Sequence, residues 1–167
     1  MSSIKKDCSS YVLGFLRIAL GWMFFWAFID KLLGLGFATK ADKSWIDGVS
    51  PTVGFLKFAA KGPFANMFHA LAGTMVVDWL FMLGLLGIGL ALILGIGMRV
   101  ASWSGFAMVV LMWMVVLPPA NNPILDDHIV YALVFAWFAC NPSVGDTLGF
   151  GKQWSSMSFV KKMPWLR

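Results

Sequence analysis

From Trp79 to Met98 the chain runs without one charged residue. As a helix, a run of that length and apolarity can cross the hydrocarbon core of a bilayer, which takes about 20 residues. It lies in the second of four apolar stretches, at about 11–29, 76–97, 100–117 and 123–140. The connections between them are short, except for one loop over 32–75. The chain as a whole is also apolar: 59% of its 167 residues are apolar and 13% are charged, against roughly a quarter charged in soluble domains. The pattern predicts an all-α membrane protein: a four-transmembrane-helix bundle over 1–167, forming a single domain, with short interfacial helices in the long first loop.

Charges inside such a bundle are costly and need a reason. Arg17 lies some six residues into the first span, roughly 9 Å deep at 1.5 Å per residue. Its side chain either snorkels back to the headgroups, the simpler expectation, or pairs inside the bundle with a partner the sequence does not name. The span closes on Asp30-Lys31. The loop is punctuated by Gly34, Gly36, Gly48, Pro51, Gly54, Gly62 and Pro63. Its second half, 55–71, reads as one or two interfacial helices broken at Gly62-Pro63. His69 belongs to that segment, where a lone histidine is more often a structural donor than a ligand. The second span opens on Asp78-Trp79. It carries Gly87, Ala91 and Gly95 at every fourth position, a small-residue stripe that predicts close packing by another helix. The third span stops at Pro118-Pro119.

The stretch that follows, Asn121 to Tyr131, carries two adjacent carboxylates and one of the chain's two histidines between two apolar runs. Asn122 before Pro123 reads as a helix start, with an N-cap acceptor and then a proline where no N–H partner is needed. That register drops Asp126, Asp127 and His128 into the first two turns of the fourth span, with Tyr131 one turn further in. They either sit at the water interface, favoured by the helix N-terminal dipole, or do chemistry. Asp30, Lys31, Asp78, Asp126, Asp127 and His128 fall at one membrane edge, ringing a mouth that the loop with His69 covers. Carboxylates beside a lysine and a histidine, under a semi-apolar lid, suit proton-coupled chemistry on an amphipathic ligand such as a quinone. A solvated rim would produce the same set of charges.

Partners and placement follow from charge. The net charge of +5 suits anionic lipid headgroups better than nucleic acid, since no basic cluster has a polar scaffold. Seven Lys and Arg lie on the side of the N-terminal tail, the turn at Arg99 and the C-terminal tail, against five at or in the long loop. That places both termini in the cytoplasm and the loop outside. The C-terminal tail, 141–167, with Trp154 and Trp165, is expected along the membrane surface. Cys8 and Cys140 allow one disulfide at most, and there is no CxxC, haem, flavin or metal motif.

Arg17, Asp30-Lys31, Gly62-Pro63-Phe64, Val77-Asp78-Trp79-Leu80, the glycine-rich second span into Gly97-Met98-Arg99, and Pro118-Pro119-x-Asn121-Asn122-Pro123-x-x-Asp126-Asp127-His128 together resemble the DoxX/DoxD group of four-helix membrane proteins. The resemblance covers about 11–140. It implies a prokaryotic cell-membrane protein. Through the DoxD-like members it implies the membrane subunit of a thiosulfate:quinone oxidoreductase that works with a second, DoxA-like subunit; this chain carries no DoxA-like portion. In that reading Asp126, Asp127, His128 and Lys31 are catalytic: Lys31 draws in the anion, and His128 with a neighbouring aspartate handles protons. Arg17, Asp30, His69, Asp78, Trp79, Asn122 and Tyr131 line the quinone and anion site. A non-catalytic accessory subunit of a larger respiratory complex, docked through Gly87, Ala91 and Gly95, is the competing reading. Transport comes third, because no inverted repeat is visible.

Overall fold

The computed structural model describes residues 8–167, so the basic N-terminal tail with Lys5 and Lys6 lies outside the described residues. All regular structure among these residues is helical. Four long helices form the body: α1 (Cys8–Leu33), then, after two short helices α2 (Val53–Phe58) and α3 (Ala65–Leu71), α4 (Met75–Leu94), α5 (Met98–Val116) and α6 (Asp127–Cys140). Two short helices, α7 (Gly151–Ser156) and α8 (Ser158–Lys162), lie in the tail. α1, α4 and α5 are long and apolar enough to cross a membrane, whereas α6 has 14 residues. Neighbours along the chain run antiparallel. The bundle therefore has a loop end, with the 34–74 segment and the α5–α6 connection, and a tail end, with the α4–α5 turn and the C-terminal segment.

The helices pack because their apolar faces converge. Leu20 and Phe24 of α1, Met82, Leu85, Ile88 and Leu92 of α4, Met98 and Val109 of α5, and Phe135 and Phe138 of α6 form one buried cluster. Phe24 meets Phe135 edge-on at 5.4 Å between ring centroids. Small residues set the close approaches, but they are not the predicted stripe. A Cβ on Gly89 would stand 2.7 Å from the Phe25 nitrogen, and one on Gly21 would stand 2.8 Å from Leu92 Cβ. α1 and α4 thus cross backbone to backbone at Gly21 and Gly89. Gly105 of α5 leaves the notch that the Phe135 ring fills. Gly87, by contrast, is exposed with nothing within 4 Å of where its Cβ would be. Gly95 is the left-handed cap of α4 at φ 72°. Gly87 therefore faces no helix among the described residues, Gly95 is buried against Gly145 of the tail and the Arg17 side chain, and the close approach of α1 to α4 falls to Gly89, two residues along from Gly87.

Three span boundaries move by a few residues: α1 extends to both sides of 11–29, α4 stops at Leu94 because Gly95 turns left-handed, and α5 occupies 98–116. The fourth is a larger correction. Asn122-Pro123 does not start a helix. The Asn122 Oδ1 accepts the N–H groups of Ile124 and Leu125, both at 3.0 Å, and closes a turn of its own. The helix begins four residues later, capped by Asp126. The loop helices appear as expected, α2 and α3, separated at Gly62–Phe64 by a short 3-10 turn.

Arg17 does not snorkel. It is fully buried at the tail end. The last four carbonyls of an α-helix have no partner inside it, and each of those on α4 is answered. The Ala91 carbonyl accepts from the Gly95 and Ile96 N–H groups, at 2.8 and 3.1 Å. Leu92 and Ile93 accept from Arg17 Nη1. Leu94 accepts from the Phe150 N–H at 2.8 Å. Arg17 Nη2 then donates to the Thr147 and Leu148 carbonyls, both at 3.0 Å. One guanidinium joins α1, the end of α4 and the tail, so the tail is a packed cap rather than a loose surface segment.

Candidate functional site

The predicted ring of charges at the loop end separates into two groups with different work. Asp30 and Asp78 are buried and hold the loop. The Asp30 carboxylate accepts from the backbone N–H groups of Phe37, Ala38 and Thr39, at 3.3, 3.0 and 2.8 Å. Asp30 sits in the last turn of α1, where the helix dipole disfavours a negative charge; three N–H donors offset that. The Asp78 Oδ1 accepts from the hydroxyls of Ser50, at 2.8 Å, and Thr52. The Ser50 hydroxyl oxygen also accepts the Val53 N–H at 3.1 Å and so orders the start of α2. Lys31 lies over the Phe81 ring, 5.9 Å from its centroid. Trp79 packs edge-on against Trp45 of the loop, at 4.7 Å between centroids. His69 is exposed on α3. None of these side chains reaches the stretch around His128.

The second group forms a pocket of about 370 Å³ between the end of α5 and the start of α6. Val116, Pro119, Ala120 and Leu125 supply its apolar wall, and Asn121, Asn122, Asp126, Asp127 and His128 its polar one. Trp113 fastens the connecting segment to α5 by donating its indole N–H to the Ile124 carbonyl at 2.8 Å. The long loop contributes no residue to this pocket; its apolar residues Leu56, Ala60 and Phe68 pack instead on Val115 of α5. Tyr131 is half-buried against the central core, away from the pocket wall. Arg17 is at the other end of the bundle.

The functional geometry is the pairing of Asp126 and His128. Asp126 caps α6 through Oδ1, which accepts the His128 N–H at 3.0 Å, while its Oδ2 lies 2.7 Å from His128 Nδ1. A carboxylate can only accept, so Nδ1 carries the proton, and Nε2 is left for the pocket. Asp127 is exposed at the pocket rim in the first turn of α6, where the N-terminal dipole favours its charge. A fixed imidazole with one free nitrogen, beside a wall half apolar and half polar, can give or take a proton at a ligand oxygen. No group of three or more metal-ligating side chains occurs among the described residues.

Of the predicted catalytic set, the structure brings Asp126, Asp127 and His128 together and places Lys31 elsewhere. Asn122 lines the pocket, but its side chain is spent on its own turn. Asn121 entered only as part of the Asn121–Tyr131 stretch and the family motif, not as a site residue; the apolar wall formed by Val116, Ala120 and Leu125 had no such role, nor had Ser50 and Thr52, whose hydroxyls stand just before a helix start and so carry a readable signal. No protein-family model, characterised protein or solved structure matches the chain.

Proposed function

We propose that the chain is a four-span membrane subunit of a quinone-linked oxidoreductase, with the pocket at the start of α6 as its quinone site. The observation that carries this reading is the Asp126–His128 pair, 2.7 Å apart, set in a pocket whose volume of about 370 Å³ lies at the low end of the range for small-molecule sites. Val116, Pro119 and Leu125 offer a face to a quinone ring. Reducing the quinone takes two electrons and two protons. His128, held by Asp126, passes a proton from Nε2 to a carbonyl oxygen, is reprotonated from water at the open mouth of the pocket, and passes the second; Asp126 stabilises the imidazolium before each transfer. The electrons come from a second subunit; the resemblance to the DoxX/DoxD group makes that a DoxA-like chain oxidising thiosulfate to tetrathionate.

The fourth span rests on α6. Fourteen residues rise about 21 Å, short of a full crossing. Yet Val130, Leu133 and Trp137 are exposed large apolar side chains on its outward face, as Trp22 and Leu83 are on α1 and α4. Such a surface belongs in lipid. The same resemblance and the Lys/Arg asymmetry put the protein in a prokaryotic cell membrane with both termini cytoplasmic. The accessory-subunit reading draws on a different observation: Asp30, Asp78 and Lys31 are all engaged within the fold, leaving a smaller site than the sequence implied.

Thiosulfate-driven reduction of a short-chain quinone by the purified protein with its co-purifying chains decides between them. His128→Ala is expected to lower turnover by at least 100-fold, as removal of a positioned acid–base group does, and Asp126→Asn by a smaller factor. Unchanged turnover in both variants would remove the quinone site from this pocket and favour the accessory role.

A further inference from the structure

A second hollow lies at the opposite end of the molecule, on the outward side of the α4–α5 pair. It measures about 380 Å³, and its lining is almost wholly apolar. Gly84, Gly87, Ala91 and Ala101 form a floor without bulk, Leu83 and Val100 rise beside it, and Trp154 and Leu166 of the tail close its foot. The groove ends at Gly84 because the Met108 methyl lies across that position. It therefore runs from the middle of α4 to the tail end: from Gly84 to the end of α4 at Leu94, just before the lining residues Ile96 and Gly97, is about 15 Å at 1.5 Å per residue, close to half of a hydrocarbon core about 30 Å thick. A transmembrane helix laid here would need the groove to continue toward Met75, where Val76 and Leu80 are instead exposed bulky residues. A single acyl chain needs only this one-leaflet length.

A cation stands next to the tail segment that closes the groove. Arg99, exposed in the first turn of α5, donates its backbone N–H to the Arg167 carbonyl at 2.7 Å. Its guanidinium lies 3.4 Å from the Pro164 carbonyl, two residues before the lining residue Leu166. Trp154 donates its indole N–H to the Leu166 carbonyl, which joins the two tail residues that line the groove; indoles favour a membrane interface. We infer that this groove holds one acyl chain of an anionic phospholipid, with the phosphate against Arg99. The site is separate from the pocket at His128 and stands or falls independently of the quinone reading.

Native mass spectrometry of the detergent-solubilised protein, titrated with palmitoyl-oleoyl phosphatidylglycerol or with the phosphatidylcholine of the same chains, tests this. One phosphatidylglycerol is expected to be retained per chain, with phosphatidylcholine bound several-fold more weakly. Arg99→Gln should cut phosphatidylglycerol affinity about fivefold, the effect of one basic residue at an anionic headgroup, and leave phosphatidylcholine unchanged. Gly87→Leu should abolish the retained lipid; the open space around Gly87 means this variant folds as the parent does. Equal binding of the two lipids, or a lipid still retained by Gly87→Leu, would overturn the inference. So would a lipid-free dimer that Gly87→Leu dissociates, which would make a second copy the occupant.

Discussion

At the tail end of the bundle a buried cation meets carbonyl oxygens, while at the loop end two buried carboxylates meet N–H and O–H donors. Neither Arg17 nor the Asp30 and Asp78 carboxylates are held by an ion pair among the described residues. Arg17 is surrounded by the backbone of Leu92, Ile93, Thr147 and Leu148, and Asp30 by that of Phe37, Ala38 and Thr39. A buried charge is tolerable when most of its hydrogen-bonding capacity is filled, as both terminal nitrogens of Arg17 are while its Nε is buried without a partner, and a chain emerging from an apolar bundle has loose backbone groups to offer. The signs follow from which groups are loose. At the tail end α4 finishes, presenting orphan carbonyls and the negative end of its dipole, so the fitting side chain is a guanidinium with its fork of donors. At the loop end a connecting segment turns its N–H groups inward, so the fitting side chain is a carboxylate. The Asp126–His128 pair belongs to neither pattern: it is half-exposed, faces a pocket and leaves a ring nitrogen unused.

Breaking the tail-end arrangement is expected to have the largest effect. Arg17→Leu strands up to four carbonyls at a cost of about 1–3 kcal/mol for each that stays buried and unsatisfied, enough to undo the docking of the tail. Denaturation in mixed micelles together with proteolysis of the 141–167 segment would measure it; a variant as stable as the parent, with a protected tail, would mean that the carbonyls find other donors. Arg17→Lys should recover only part, since an ammonium cannot reach both pairs at once. Next comes Asp30→Ala, which frees three N–H groups near the surface. Phe37 and Ala38 are exposed while Thr39 is buried, so water can reach two of the three, and the expected cost is smaller, about 2 kcal/mol, and local: faster hydrogen exchange at Phe37, Ala38 and Thr39 with the bundle unchanged. Global unfolding of Asp30→Ala would show that the two ends are coupled. Asp78→Asn keeps an acceptor for Ser50 and Thr52 and should cost about 1 kcal/mol, seen as loosening of α2.

The sequence makes the long helices legible because any charge within them is expensive, so the charge-free run from 79 to 98 marks α4, although the helix itself starts and stops four residues earlier, at Met75 and Leu94. The partners of Arg17 are not legible in the same way. They lie 75 to 131 residues away along the chain and act through backbone oxygens, which leave no mark on residue type. The small-residue stripe misleads for a related reason: periodicity places Gly87, Ala91 and Gly95 on one face of α4 but does not say which face meets α1, and Gly89 stands on the one that does. At the candidate site, Asn122-Pro123 carries a genuine turn signal, satisfied by an Asn side chain closing on Ile124 and Leu125. The helix waits for the next good acceptor, Asp126. The cluster of Asp126, Asp127 and His128 survives that shift because the three residues are neighbours in sequence, whereas Lys31, Asp78 and Trp79 had to be brought to it by a fold that sends them elsewhere.

The smallest expected effect on stability is at Asp126, and it separates a pocket kept for chemistry from one kept for structure. Asp126→Asn retains an oxygen for the His128 N–H, and asparagine caps helices as well as aspartate does, so the fold should hold to within about 0.5 kcal/mol. Asp126→Ala removes the cap and should cost about 1 kcal/mol, a fraction of the loss at Arg17. Both variants leave His128 without its carboxylate, and both should show the same loss of quinone turnover despite their different stabilities. If turnover instead tracks stability across the pair, the carboxylate serves to start α6, and the loop-end pocket belongs with Asp30 and Asp78 as part of the scaffold.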